Sequence, residues 1–187
     1  MSILAFYYQK VQKQIIVIIG GPGSGKTTII NALSQMGYCC YPEISRQVTI
    51  KAKKKGIDQL FLTNPVLFSE MLLQGRIEQY KSALIEKEEV VFLDRGIPDV
   101  LAYIKFLGDD YPDDFDLAGY NHKYSKILVL PPWEEIYTSD SERYENFEQA
   151  KEIFIHLKET YMSYGYELIE VPIGSVADRV QFVLNTI

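Results

Sequence analysis

Residues Gly20-Gly21-Pro22-Gly23-Ser24-Gly25-Lys26-Thr27 satisfy the pattern G-x-x-x-x-G-K-[ST] in full. The apolar residues 15–19 precede the loop, and a helix-like run at residues 27–36 follows it. This order constrains the fold strongly: a buried strand must end, wrap and start a helix within eight residues. Glycines allow the wrap, so that successive backbone N–H groups turn toward one anion. The helix N-terminus adds its partial positive charge at the same point. Gly20, Gly21, Pro22, Gly23, Ser24, Gly25, Lys26, Thr27 and Thr28 are therefore the candidate nucleotide-binding residues. Lys26 is expected to reach the β- and γ-phosphates of ATP, and the Thr27 hydroxyl to ligate Mg²⁺.

The rest of the chain alternates in the same sense. Short continuous apolar runs lie at residues 15–19, 38–41, 90–93, 126–130 and 167–171. Continuous runs of this length suit strands covered by helices on both faces. Between them, Phe147, Ala150, Phe154, Leu157, Tyr161 and Tyr164 step by three or four until Gly165. Asn64-Pro65 opens a second helical stretch, Pro98 suits the first turn of a third, and Ser175 with Asp178 resembles a capping box. The expectation is a doubly wound, three-layer α/β domain over residues 1–187. Its sheet should be mostly parallel and five-stranded, with residues 1–13 as an N-terminal extension.

The run at residues 90–93 ends in Asp94-Arg95-Gly96. A phosphate-binding loop needs an acid at a neighbouring strand end to hold Mg²⁺, and Asp94 is the candidate. A helix N-cap is the alternative role for Asp94. A hydrolytic motor would usually place a second carboxylate next, to activate water. Arg95 stands there instead, which suits phosphate handling or, more simply, a surface ion pair.

Composition narrows the partners. The formal net charge of −6 argues against a nucleic-acid or anionic-membrane surface. The two cysteines are adjacent, Cys39 and Cys40, so they fit neither a zinc ribbon nor a disulfide framework. A reducing, cytoplasmic setting is expected. No apolar run reaches the roughly 18 residues of a membrane helix, and residues 1–8 lack the features of a signal peptide. His122 and His156 are isolated, and residues 109–116, rich in Asp, read as a solvated loop.

The loop together with Asp94-Arg95-Gly96 resembles the small P-loop kinases of nucleosides and nucleotides. More closely, the chain resembles a "predicted ATPase" or AAA-domain family of small proteins. That family is similar to the ribosylnicotinamide kinase domain of the bifunctional NAD-biosynthesis regulator. Supporting segments are residues 20–28, Pro42-Glu43-Ile44-Ser45-Arg46, Gly75-Arg76-Ile77-Glu78-Gln79-Tyr80, residues 92–98, Leu130-Pro131-Pro132-Trp133-Glu134 and residues 167–172.

The resemblance implies roles for further residues. Glu43 matches the carboxylate that accepts the proton of an attacking hydroxyl; capping a helix from Ile44 is its other reading. The Ile44-Ser45-Arg46 that follows departs from the nucleoside-kinase pattern, so the acceptor stays open. Arg46 reads equally as a phosphate ligand or a partner of Glu43. Residues 131–146 occupy the place of a lid, with Arg143 as the guanidinium that meets the transferring phosphoryl group. A solvated charge at a helix start is the alternative for Arg143. Trp133 reads as a packing residue or a base-stacking one. Glu70, Gln74 and Arg76 are candidate acceptor contacts.

The expected function is ATP- and Mg²⁺-dependent phosphoryl transfer to an unidentified small hydroxyl-bearing acceptor. Lys26, Glu43, Asp94, Arg95 and Arg143 are the catalytic candidates, and Thr27 and Asp94 the metal ligands. The rival is an ATPase or nucleotide switch acting through a protein partner. The Asn-Lys-x-Asp guanine-reading motif is absent from the sequence. Oligomeric state is left open.

Overall fold

The computed structural model describes residues 13–54, 56–57, 60–137 and 145–187, with no statement made on the side chains of Phe61 and Leu62. In chain order the elements are β1 (Gln14–Gly20), α1 (Lys26–Gln35), β2 (Cys39–Tyr41), α2 (Ser45–Lys54), α3 (Leu60–Thr63) and α4 (Pro65–Ile85). There follow β3 (Val90–Asp94), α5 (Ile97–Leu107), α6 (Asp113–Asn121), β4 (Lys126–Leu130), α7 (Phe147–Ser163), β5 (Leu168–Glu170) and α8 (Val176–Asn185).

The sheet order is β2-β3-β1-β4-β5, and all of its pairings are parallel. The glycine loop therefore leaves the middle strand. β1 shows why its sequence is an unbroken apolar run. Ile15, Val17 and Ile19 pack into one core with Ala83 of α4, Ala102 of α5, and Ile153, Leu157 and Tyr161 of α7. Ile16 and Ile18 face the opposite core, with Ile29 and Leu33 of α1 and Val180 and Val183 of α8. Successive side chains point to opposite faces, so covering both faces demands apolar residues at both parities. Three layers result, as expected for a doubly wound α/β fold.

The alternate crossings place the carboxyl ends of β1, β2 and β3 on one edge, where such sheets bind their ligands. Register sets the depth of that edge. Ile18 of β1 lies opposite Asp94 of β3, and Tyr41 of β2 lies opposite Leu93. Asp94 thus ends its strand beside the start of the glycine loop.

Helix ends follow their local chemistry. Asn64 caps α4 through Leu67 N, with Pro65 in the first turn. Asn146 and Gln149 form a reciprocal capping box at α7, and the Ser175 side chain caps α8. The acidic stretch departs in part from the loop reading. Asp109 and Asp110 do lie in an exposed loop, but from Asp113 the chain forms α6, with Asp113, Asp114 and Asp116 in its first turn and Phe115 and Ala118 buried. Carboxylates suit a helix N-terminus, and the two apolar side chains dock that helix. Among the described residues no helix is long and apolar enough to cross a membrane.

Candidate functional site

The glycine loop closes on itself. Lys26 Nζ donates to the carbonyls of Gly20 (2.8 Å) and Gly21 (2.7 Å) and to Ser24 Oγ (3.3 Å). Ser24 Oγ in turn donates to Gly21 O at 2.9 Å. Only glycine fits the sharpest point. Gly23 has φ +74°, and a Cβ there would come within 2.5 Å of the Tyr137 ring. Burial of Lys26, aided by the nearby Arg95 charge, pulls its pKa down to about 7 against the attraction of Asp94, Asp99 and Glu43. A buried ammonium that leans on backbone carbonyls is poised to exchange them for an anion.

Thr27, at the first turn of α1, is exposed, and its Oγ1 donates to Asp94 Oδ2 at 3.2 Å. Asp94 is 1% exposed, and its Oδ1 has no hydrogen-bond partner. Burial raises the Asp94 pKa, outweighing the pull of Lys26. An orphaned carboxylate oxygen beside a threonine hydroxyl is a hard-oxygen donor set, the kind a divalent cation such as Mg²⁺ takes. The residues present therefore fit the expected Mg²⁺.

Next to this pair lies a four-member ion cluster. Glu43, between β2 and α2, accepts from Arg76 Nη2 at 2.5 Å through Oε1, and its Oε2 pairs with Arg95 Nε. Glu43 Oε1 also accepts from the backbone N–H groups of Ile44 (2.8 Å) and Ser45 (3.0 Å). The capping reading of Glu43 is met: it caps α2, and the same carboxylate pairs with Arg76 and Arg95. Burial pushes its pKa up, but Arg76, Arg95 and the two amides outweigh that and hold it at about 2.

Arg95 sits at φ +74°, the one non-glycine residue with positive φ among those described. That conformation costs about 1–2 kcal/mol for an L-residue, so its surroundings must enforce it. Its N–H bonds Ile18 O at 3.1 Å, extending the ladder by one residue. Its guanidinium lies 5.1 Å from the Tyr103 ring centre and 3.5 Å from Asp99 Oδ1. Asp99 Oδ2 accepts from Gly96 N (2.8 Å) and the Tyr161 hydroxyl (2.7 Å). Arg95 is thus neither at the surface nor free to swing; it is braced into the cleft.

The other candidates fall as follows. Arg76 is 3% exposed and acts as a strut, with Nη1 donating to Asp94 O at 2.8 Å while Nη2 holds Glu43. Gln79, one turn on, donates to Pro42 O at 2.8 Å and fixes the approach to Glu43. Glu70 and Gln74 are exposed, and Gln74 donates to Glu78 of its own helix. Arg46 is exposed in the first turn of α2. Thr28 is exposed beside Thr27. Trp133 is half-buried, with its indole N–H on Glu135. Arg143 and most of the lid centre lie outside the described residues. Sequence reasoning passed over Asp99, Tyr161 and Arg179. Asp99 and Arg179 had a signal: each is a charge inside an otherwise apolar helical stripe.

Comparison with known proteins agrees with the fold. An AAA domain model matches residues 15–179. GTPase Der from Rickettsia africae is 30% identical over 140 residues, 71% of this chain. The chain spans only 29% of the length of these curated relatives. Among solved structures, the NadR protein in complex with NR superposes with a TM-score of 0.73 at 18% identity, covering 93% of this chain and 50% of that one. Deoxyadenosine kinase from M. mycoides, with dCMP and dCDP bound, gives 0.66 at 17% identity, covering 92% and 98%. Thymidylate kinase from Candida albicans gives 0.65 at 17% identity, covering 94% and 91%. At these identities the likeness is one of fold: a P-loop fold close to that of nucleoside and nucleotide kinases.

Proposed function

The chain belongs to the AAA domain family, and from that premise we propose that it is an ATP-dependent phosphotransferase acting on a small hydroxyl-bearing acceptor. The observation that carries the reading is the ion pair between Glu43 and Arg95 at the mouth of the glycine loop. A hydrolytic motor would usually place a water-activating carboxylate after Asp94. Here a guanidinium follows, and the available carboxylate comes from across the cleft, where an acceptor hydroxyl would approach.

Each group then has a task. The loop amides and Lys26 bind the β- and γ-phosphates. Thr27 Oγ1 and Asp94 Oδ1 would hold Mg²⁺, which when bound neutralises charge on the phosphate oxygens. Arg95 stabilises the charge spread over the equatorial oxygens of the transferring group, with a fixed guanidinium that needs little reorganisation. Arg143 is proposed to join it from the lid. Glu43 orients the acceptor hydroxyl and takes its proton late, as a loose transition state requires. Phosphate bound beside the fixed Arg95 adds negative charge that offsets the cationic pull on Glu43 and makes that carboxylate the stronger base.

Steady-state ADP formation with and without a panel of nucleosides and other hydroxyl compounds tests this. An acceptor should accelerate ADP release by orders of magnitude, and Glu43→Gln should abolish the acceleration. ADP formation indifferent to every acceptor would count against the reading. A nucleotide-dependent switch is the second reading, favoured by the likeness to GTPase Der. A protein captured in one nucleotide state only would support it.

A further inference from the structure

Arg179 lies in α8, far in sequence from the loop, yet it is 4% exposed and touches the loop directly. Its Nη2 donates to Ser24 O at 2.8 Å. Its Nη1 stands where a Cβ on Gly25 would lie within 2.8 Å of it, so the glycine at that point also makes room for the guanidinium. Its Cζ is 5.9 Å from the Trp133 ring centre. Among the described residues no carboxylate pairs with it, and its Nε has no partner. Burial lowers its pKa. A buried cation without a counter-ion is costly unless a ligand supplies the charge.

Its bond to Ser24 has a geometric consequence. The peptide unit is planar and trans, so the N–H of Gly25 points opposite to the C=O of Ser24. Pinning that carbonyl toward α8 turns the Gly25 amide toward the cradle. Gly25 itself has φ +87° and is the N-cap of α1, so one peptide flip would undo both the cradle and the helix start.

We propose that Arg179 is a positioning residue for nucleotide phosphate: it locks the Ser24–Gly25 peptide, and its charge, unpaired among the described residues, favours the anion. This rests on the nucleotide-binding reading above and extends it to a residue of the last helix.

The test uses the full chain with Mg²⁺, and two probes, ATP and inorganic tripolyphosphate, by calorimetry. Arg179→Met should weaken both about 10- to 100-fold, the scale of a lost charge-assisted hydrogen bond. Arg179→Lys, which keeps the charge without the fork, should fall between. Unfolding without ligand should change little, because losing a buried charge offsets orphaning the Ser24 carbonyl. The ligand-induced rise in Tm should shrink instead. If Arg179→Met fails to fold, the Lys variant decides by its smaller affinity loss. Wild-type affinity retained in the folded variants, or a loss of stability with phosphate affinity intact, overturns the role of Arg179 alone. A wild-type protein that binds neither probe overturns the nucleotide reading itself.

Discussion

Replacing Glu43 by Gln removes one charge from a cluster whose other members cannot leave it. Arg76 is 3% exposed and Arg95 15%, while Glu43 is 24% exposed. The fall of the Glu43 pKa from 4.5 to about 2 records how strongly the folded state prefers the carboxylate. At about 1.4 kcal/mol per pH unit, that preference is worth about 3 kcal/mol at pH 7. The sign follows from the lowered pKa: the stabilisation is complete above 4.5 and is lost as pH falls through 2. Gln keeps the shape and can still accept from the Ile44 and Ser45 amides, so the charge is the main loss. Glu43→Gln should therefore be less stable by about 3 kcal/mol at pH 7 and by about 1.5 kcal/mol at pH 3. In a chain of this size the neutral-pH loss lowers Tm by roughly 6–12 °C. Urea unfolding of both proteins across that pH range is the assay. Carboxylates remote from the cluster titrate in both and cancel in the difference. A gap that stays constant with pH, or one below about 0.5 kcal/mol at pH 7, would refute the cluster's energetics.

Three further outcomes follow from the site. Lys26, held at about 7, should regain its proton beside a triphosphate, so ATP affinity should fall toward about tenfold per pH unit above 7. Calorimetry in buffers of different ionisation heat should register proton uptake at about pH 8, and none would contradict the buried-lysine geometry. Asp94→Asn removes a buried charge with an orphaned oxygen, so the metal-free protein should melt higher while Mg²⁺-dependent turnover drops about 100-fold or more. A variant with unchanged turnover would remove Asp94 from the metal site. Gly23→Ala forces a Cβ to within 2.5 Å of Tyr137 at φ +74°, so ATP affinity should fall at least about tenfold with the core still folded; undiminished affinity would show that the loop tolerates what its geometry forbids.

Much of this architecture was legible because the signals were local. The 20–27 loop carries its own context, and unbroken apolar runs such as β1 and β4 announce burial on both faces. The position of Asp94 was legible because a parallel strand that ends in an acid next to the glycine-loop strand brings that carboxylate to the loop. Long-range contacts were not. Arg76 looked like an acceptor contact, yet its partners Glu43 and Asp94 lie 33 and 18 residues away, and only folding makes it a strut. Arg179 reaches Ser24 across 155 residues. The left-handed Arg95 was not legible, because its partner Glu43 comes from the far side of α2, α3 and α4. Local charge density also misled: five nearby aspartates suggested a loop, where three of them supply the first turn of α6.

The central claim is transfer to an acceptor hydroxyl, and following an isotopically labelled γ-phosphate of ATP by mass spectrometry tests it most directly. With the full chain, Mg²⁺ and a panel of small hydroxyl compounds, the label should appear on one acceptor class, and Glu43→Gln should suppress it. Label found solely in inorganic phosphate, released at the same rate with and without every acceptor, would contradict the account.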